Sequence, residues 1–207
     1  MAGTFGQWGK VFKTLKDAPK DLEAARKIAV LGEAQFFRTK ILEGLREQAP
    51  GGKKFKALTP ETLAIRKFLG FKGTKALLKH GDLRNAIVVE EKDDLVFVGV
   101  LRSAKNERGQ SMVNVAQVQE EGSKPIIIKM TPKMSALLHA AFRQAGIERK
   151  EKRPTTGIIV VQIPARPFIS PVFEEYGKAN QVEKRMAARF EKAMRGKGAW
   201  SAAKGAL

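Results

Sequence analysis

Ala86-Ile87-Val88-Val89-Glu90-Glu91, then Lys92-Asp93, then Asp94-Leu95-Val96-Phe97-Val98-Gly99-Val100-Leu101: this stretch decides how the chain is read. Two runs rich in β-branched residues, separated by a short polar turn, form a hairpin. The spacing predicts strands over 86–91 and 94–101 with a turn at Lys92-Asp93. Side chains alternate along a strand, so Leu95, Phe97, Gly99 and Leu101 point one way and Val96, Val98 and Val100 the other. Both faces are apolar. Both are therefore expected to be covered, one by a helix and the other by a helix or another subunit.

Upstream of the hairpin the period changes from two to that of a helix. Leu22, Ala25, Ile28, Leu31, Ala34, Phe37, Ile41 and Leu45 share one broad face, which predicts a long helix from about Lys20 to Gln48. Ala49-Pro50-Gly51-Gly52 ends it. Before it, Phe5, Trp8, Phe12 and Leu15 form an apolar stripe beside Lys10, Lys13 and Lys16. This is expected to be an amphipathic arm over 1–19, broken off by Ala18-Pro19 and docking on its own domain or on a neighbouring subunit. Thr59-Pro60 places a capping hydroxyl before a proline suited to the first helical position, so a shorter helix starts there. Leu77, Leu78, Gly81, Asp82 and Leu83 make a compact turn leading into the hairpin.

Downstream, residues 113–122 read as a strand or a short helical turn, and Ile126-Ile127-Ile128 as a buried strand. Thr131-Pro132 repeats the capping device and opens a helix to about Ala145. A charged loop covers 148–153, and Gly157 to Ile163 is the most strand-prone stretch of the chain. A last helix is expected over about 172–194, followed by a flexible basic tail over 195–207. The order of elements predicts an α+β fold: a small mixed or antiparallel sheet packed with a long N-terminal helix and two or three further helices, forming one domain over 20–194.

Composition narrows the chemistry. The 207 residues include 39 Lys and Arg against 21 Asp and Glu, a net charge of +18, with 43% hydrophobic residues, two histidines and no cysteine. That hydrophobic share supports a packed core, and no apolar run is long enough for a spanning helix. No secretory signal is read at the start. The pairs Glu90-Glu91, Asp93-Asp94, Glu120-Glu121 and Glu174-Glu175 are adjacent in sequence, and neighbours on a strand point apart, so none is a catalytic dyad by itself. His80 and His139 lack the spacing of a metal pair. Gly70-Phe71-Lys72-Gly73-Thr74-Lys75 lacks the ending of a phosphate loop. No catalytic, cofactor-binding or metal-ligating residue is assigned, and the composition favours a binding or assembly protein over an enzyme. The lysines and arginines at Lys53, Lys54, Lys56, Lys72, Lys75, Arg149, Lys150, Lys152 and Arg153 are candidate contacts for DNA or an acidic partner.

Three segments, in this order, resemble the bacteriophage virion morphogenesis or tail completion family of Mu-like phages. The first is Phe55, Leu58, Thr59, Pro60, Thr62 and Arg66 or Lys67. The second is Leu77, Leu78, Gly81, Leu83 and Ile87. The third is Ile163-Pro164-Ala165-Arg166-Pro167-Phe168, which matches the family's proline–arginine run. Between the last two, the family pattern Tyr-Ala-x-x-His-x-x-Gly stands here as Val115 to Gly122, keeping Ala116 and Gly122 but not the aromatic or the histidine.

The resemblance implies a structural virion protein at the head–tail junction. It would complete the tail or neck, self-assemble as a ring (a hexamer by the family's habit) and join the tail to the head. The implied partners are further copies of the chain, other phage neck and tail proteins, and DNA in the channel; a membrane partner is not expected. Phe5, Trp8, Phe12, Leu15, Pro164, Arg166, Pro167 and Phe168 are the candidate interface residues. The other reading of the charge is a basic, non-catalytic nucleic-acid-binding protein.

Overall fold

The computed structural model describes residues 8–93, 95–147 and 157–195, with side chains from Lys16 onward. Phe5, Arg149, Lys150, Lys152, Arg153, the side chains of Trp8, Phe12 and Leu15, and the tail beyond Arg195 lie outside the described residues. In chain order the elements are α1 (Trp8–Glu47), a 3-10 turn (Pro50–Gly52), α2 (Pro60–Phe68), α3 (Asp82–Asn85), β1 (Ile87–Lys92), β2 (Leu95–Val100), α4 (Met112–Glu121), β3 (Ile126–Met130), α5 (Pro132–Gln144), β4 (Gly157–Val161), α6 (Ser170–Tyr176) and α7 (Ala179–Arg195). The fold is α+β. Its strands form two separate two-stranded antiparallel sheets, β1–β2 and β3–β4, in place of the single sheet expected. Six helices follow α1 among the described residues, more than the two or three expected, two of them only four and seven residues long.

The helix starts obey local chemistry. The Thr59 hydroxyl accepts the Thr62 amide at 3.3 Å, and the Thr131 hydroxyl accepts the Met134 amide at 3.2 Å. Each threonine is followed by a proline at the first helical position, where a missing N–H costs nothing. α1 departs from expectation. It runs unbroken for 40 residues with Pro19 inside it, so Ala18-Pro19 does not end an arm. Pro19 is exposed, and a lost ladder bond costing about 3 kcal/mol is set against a helix whose later turns are anchored by burial.

Four further expectations are corrected. Residues 112–121 are helical, because Met112 and Ala116, four apart, are the positions that become buried. The final helix is two, α6 and α7, separated at Gly177-Lys178, where the Lys178 carbonyl accepts the amides of Gln181 and Val182 and starts a new helix. Ile126-Ile127-Ile128 is a strand but not a buried one, since Ile127 is 69% exposed. On β2, Leu95 is 78% and Phe97 48% exposed, so one face of that strand is open along half its length.

Contacts gather the chain into two compact units, with α1 and the first hairpin contributing to both. One unit comprises the described residues up to Phe37 together with Val89–Val98 and the chain from Tyr176 onward. Its buried apolar residues include Ala25, Ala29, Ala34, Phe37 and Met194, whereas Leu22 and Ile28, expected on the same buried face, are half-exposed. The other unit, Arg38–Val88 with Gly99–Glu175, buries Ile41, Leu45, Ile87, Phe168 and Val172 completely.

Candidate functional site

The proline–arginine run lies in the second unit and is fastened along α4. The Ile163 amide donates to the Ser123 hydroxyl at 2.8 Å, and the Ser123 amide donates to the Ile163 carbonyl at 2.9 Å. Three residues on, the Arg166 amide donates to the Gln119 carbonyl at 2.6 Å. The Glu120 carboxylate then accepts the Phe168 amide at 2.8 Å, the Ile169 amide at 2.6 Å and the Ser170 hydroxyl at 2.7 Å. Glu120 thus satisfies amides that the start of α6 would otherwise leave without acceptors, a strong arrangement because the acceptor is charged. Gly122 permits the approach: its φ is +83°, and a Cβ there would stand 3.1 Å from the Ala165 nitrogen.

The other motif segments converge on the same place. Arg166 Nε donates to the Lys56 carbonyl at 3.3 Å, which ties the run to the loop just before Leu58-Thr59-Pro60. The Arg66 guanidinium has its pKa lowered by burial and, secondarily, by the charge of Arg166 beside it. Gln48, at φ +60° after α1, bonds the backbone of Ala76 from both ends of its amide, at 2.6 and 3.0 Å. At the other end of the run, Gly51 lies so close to Pro171 that an added Cβ would meet the Pro171 carbonyl oxygen at 2.2 Å. The segment that departs from the family pattern, 115–122, is therefore the one that grips the run.

This placement corrects part of the expected interface. Phe168 is fully buried and Arg166 only 9% exposed, both within their own unit, so neither side chain is available to a second molecule. Pro164 is exposed and Pro167 half-buried. Sequence reasoning also missed Glu120 as the run's anchor, having weighed it only as a member of an acidic pair. The signal that could have found it is its position on a helix ahead of a Ser-Pro helix start.

The predicted basic contacts are exposed but scattered over two loops. Lys53 pairs with Glu174 at 2.5 Å, and Lys75 Nζ donates to the Arg46 carbonyl at 2.6 Å. Lys54, Lys56 and Lys72 have no ion pair among the described residues. A hollow of about 520 Å³ is bordered by Leu63, Lys67, Phe71, Lys72 and Gln144 and takes only Lys72 of the predicted set. Lys79 lies 4.2 Å over the ring of Phe71, whose edge also meets His80.

Comparison with family models, curated proteins and solved structures finds no match to this chain. Its chemistry rests on its own residues. Among those described, no group of three or more His, Cys, Asp or Glu is placed to hold a metal ion, and no helix is long and apolar enough to cross a membrane.

In the first unit, the one buried acid is Glu33, 6% exposed on α1. Arg185 Nε donates to its carboxylate at 3.0 Å, and Arg189 on the same helix, α7, reaches the other oxygen. Arg185 also lies 4.4 Å from the ring centre of Phe36 and donates to the Tyr176 carbonyl at 2.7 Å. Alongside, an apolar groove of about 660 Å³ between α1 and α7 is lined by Ala29, Val182, Met186, Ala187 and Phe190. The arrangement fixes a helix pair through charge and stacking.

Proposed function

We propose that the chain is a structural, self-associating protein of the tail-completion kind, acting at a phage head–tail junction in the virion. The observation that carries this reading is the pair of open apolar ribbons. Leu95 and Phe97 on one, and Ile127, Ile158 and Val160 on the other, expose large side chains on ordered strands. Ordered apolar faces of this size call for a protein partner. The ordered motif segments support the reading further, since the first and third are held against one another through Arg166 and Lys56. A ring closes through a head-to-tail interface in which each copy offers two different surfaces.

Peptide mass spectrometry of purified phage particles, paired with native mass measurement of the full chain, tests it. The expected result is the protein in particles and a closed oligomer on its own or on its neck partners. A chain absent from particles and monomeric throughout overturns the reading.

A second reading, non-catalytic nucleic-acid binding, is favoured by the net charge of +18 and by the exposed lysines Lys54, Lys56 and Lys72. It predicts DNA affinity that falls steeply as salt rises, through counterion release. Failure to bind DNA at low salt removes it.

A further inference from the structure

β3 and β4 pair antiparallel, with Ile127 opposite Val160 and Lys129 opposite Ile158. Directly opposed residues share a face, so Ile127, Lys129, Ile158 and Val160 form one side of the ribbon. Its aliphatic members are 69%, 65% and 62% exposed in the order Ile127, Ile158, Val160. On the reverse side Ile126 and Val161 are still 44% and 36% exposed. A two-stranded ribbon is marginal alone, and its outer edges carry backbone donors and acceptors free to extend the sheet.

The β1–β2 hairpin has the complementary character. Val96 and Glu91 border a small hollow with Val30 and Leu31 of α1, so that face is turned to the helix. By alternation the opposite face presents Glu90, Leu95 and Phe97. Charge separates the two ribbons. Residues 90–94 hold four acids and one lysine in a chain of +18. The stretches 122–147 and 157–173 hold no acid at all, only Lys124, Lys129, Lys133, Arg143 and Arg166. Ribbon β3–β4 against itself would bring Lys129 toward Lys129. Against the acidic hairpin, Lys129 meets Glu90.

We infer that the β1–β2 ribbon of one copy docks on the β3–β4 ribbon of the next, completing a four-stranded assembly in which the open aliphatic faces are covered and Glu90 faces Lys129. The occupant of each ribbon is thus a second copy of this chain, and the contact is head-to-tail. This rests on the self-associating function proposed above and names its surfaces. A non-closing version of such a contact gives filaments and a closing one gives rings.

The absence of cysteine makes the test clean. Leu95→Cys and Ile127→Cys are prepared as separate full-length variants, oxidised alone and as an equal mixture. They are oxidised again with the neck partners or in particles if the free chain is monomeric. Both positions are exposed, so both variants fold. A disulfide dimer in the mixture alone is the expected result. A dimer from Ile127→Cys alone means that the ribbon pairs with itself and overturns the inference. So does the absence of dimer in all three samples, and so does an internal disulfide in the double variant. A charge exchange adds a second measurement: Glu90→Lys and Lys129→Glu each weaken association at least tenfold, and the chain carrying both recovers it. If the wild-type chain forms oligomers that neither exchange affects, the surfaces are wrong while the self-associating function stands. If it is monomeric and missing from particles, the function itself fails.

Discussion

Residues 158–161 and 163–172 are nearly continuous in sequence and similarly apolar, yet they meet opposite fates. Ile158 and Val160 stand mostly in the open, whereas Phe168 and Val172 are fully buried. The difference lies in what the backbone finds. The run from Ile163 to Ser170 is met at each step by an acceptor or donor on or just after α4, from Ser123 through Gln119 to Glu120. The ribbon has only its partner strand. Burial here follows from having the main chain satisfied on an adjoining element, and hydrophobicity alone does not secure it.

The sharpest way to break that comparison is Phe168→Ala. Removing a fully buried ring is expected to cost about 4 kcal/mol, read as a lower urea midpoint followed by circular dichroism. A near-neutral result would mean that the run is not anchored by its aromatic. Next comes Glu33→Gln, which leaves Arg185 and Arg189 facing a neutral amide and should cost about 3 kcal/mol, the low end for a buried pair broken on one side. Hydrogen exchange should rise along α7 while α4 stays protected, which tests whether the two units lose structure separately. Glu120→Gln weakens three charge-assisted bonds and is expected to cost about 2 kcal/mol, with exchange rising at Phe168, Ile169 and Ser170. Thr59→Ala removes one helix cap, for about 1 kcal/mol. Ile127→Ser closes the series. On an open face it should shift stability by less than about 0.5 kcal/mol, and a large loss of stability would show that the face is covered within the single chain.

The two threonine–proline caps, the hairpin, the helix stop at Pro50-Gly51-Gly52 and the α+β class were legible in the sequence, because each rests on local backbone chemistry. Pro19 was misread for a related reason: proline disfavours a helix locally, but downstream burial of Ala25, Ala29 and Phe37 holds the helix together. The open ribbons were not legible, since an aliphatic run looks alike whether its cover comes from the same chain or from another. Glu33, Glu120 and their partners were invisible because Glu33 is paired across roughly 150 residues, with separations of 152 and 156, and Glu120 across 48 to 50. No spacing rule reaches that far. The interface reading of Arg166 and Phe168 picked the right segment and the wrong direction: they face inward.

Only Gln162 separates the end of β4 from the first pinned residue of the run. There is no slack chain between them. A pull applied to the ribbon is therefore delivered at once to the paired bonds of Ser123 and Ile163, loading them in shear, and then to the carboxylate at the head of α6. In a particle that holds pressurised contents, that short tether would behave as a stiff mechanical coupling, carrying stress into the helical body instead of letting a loop stretch.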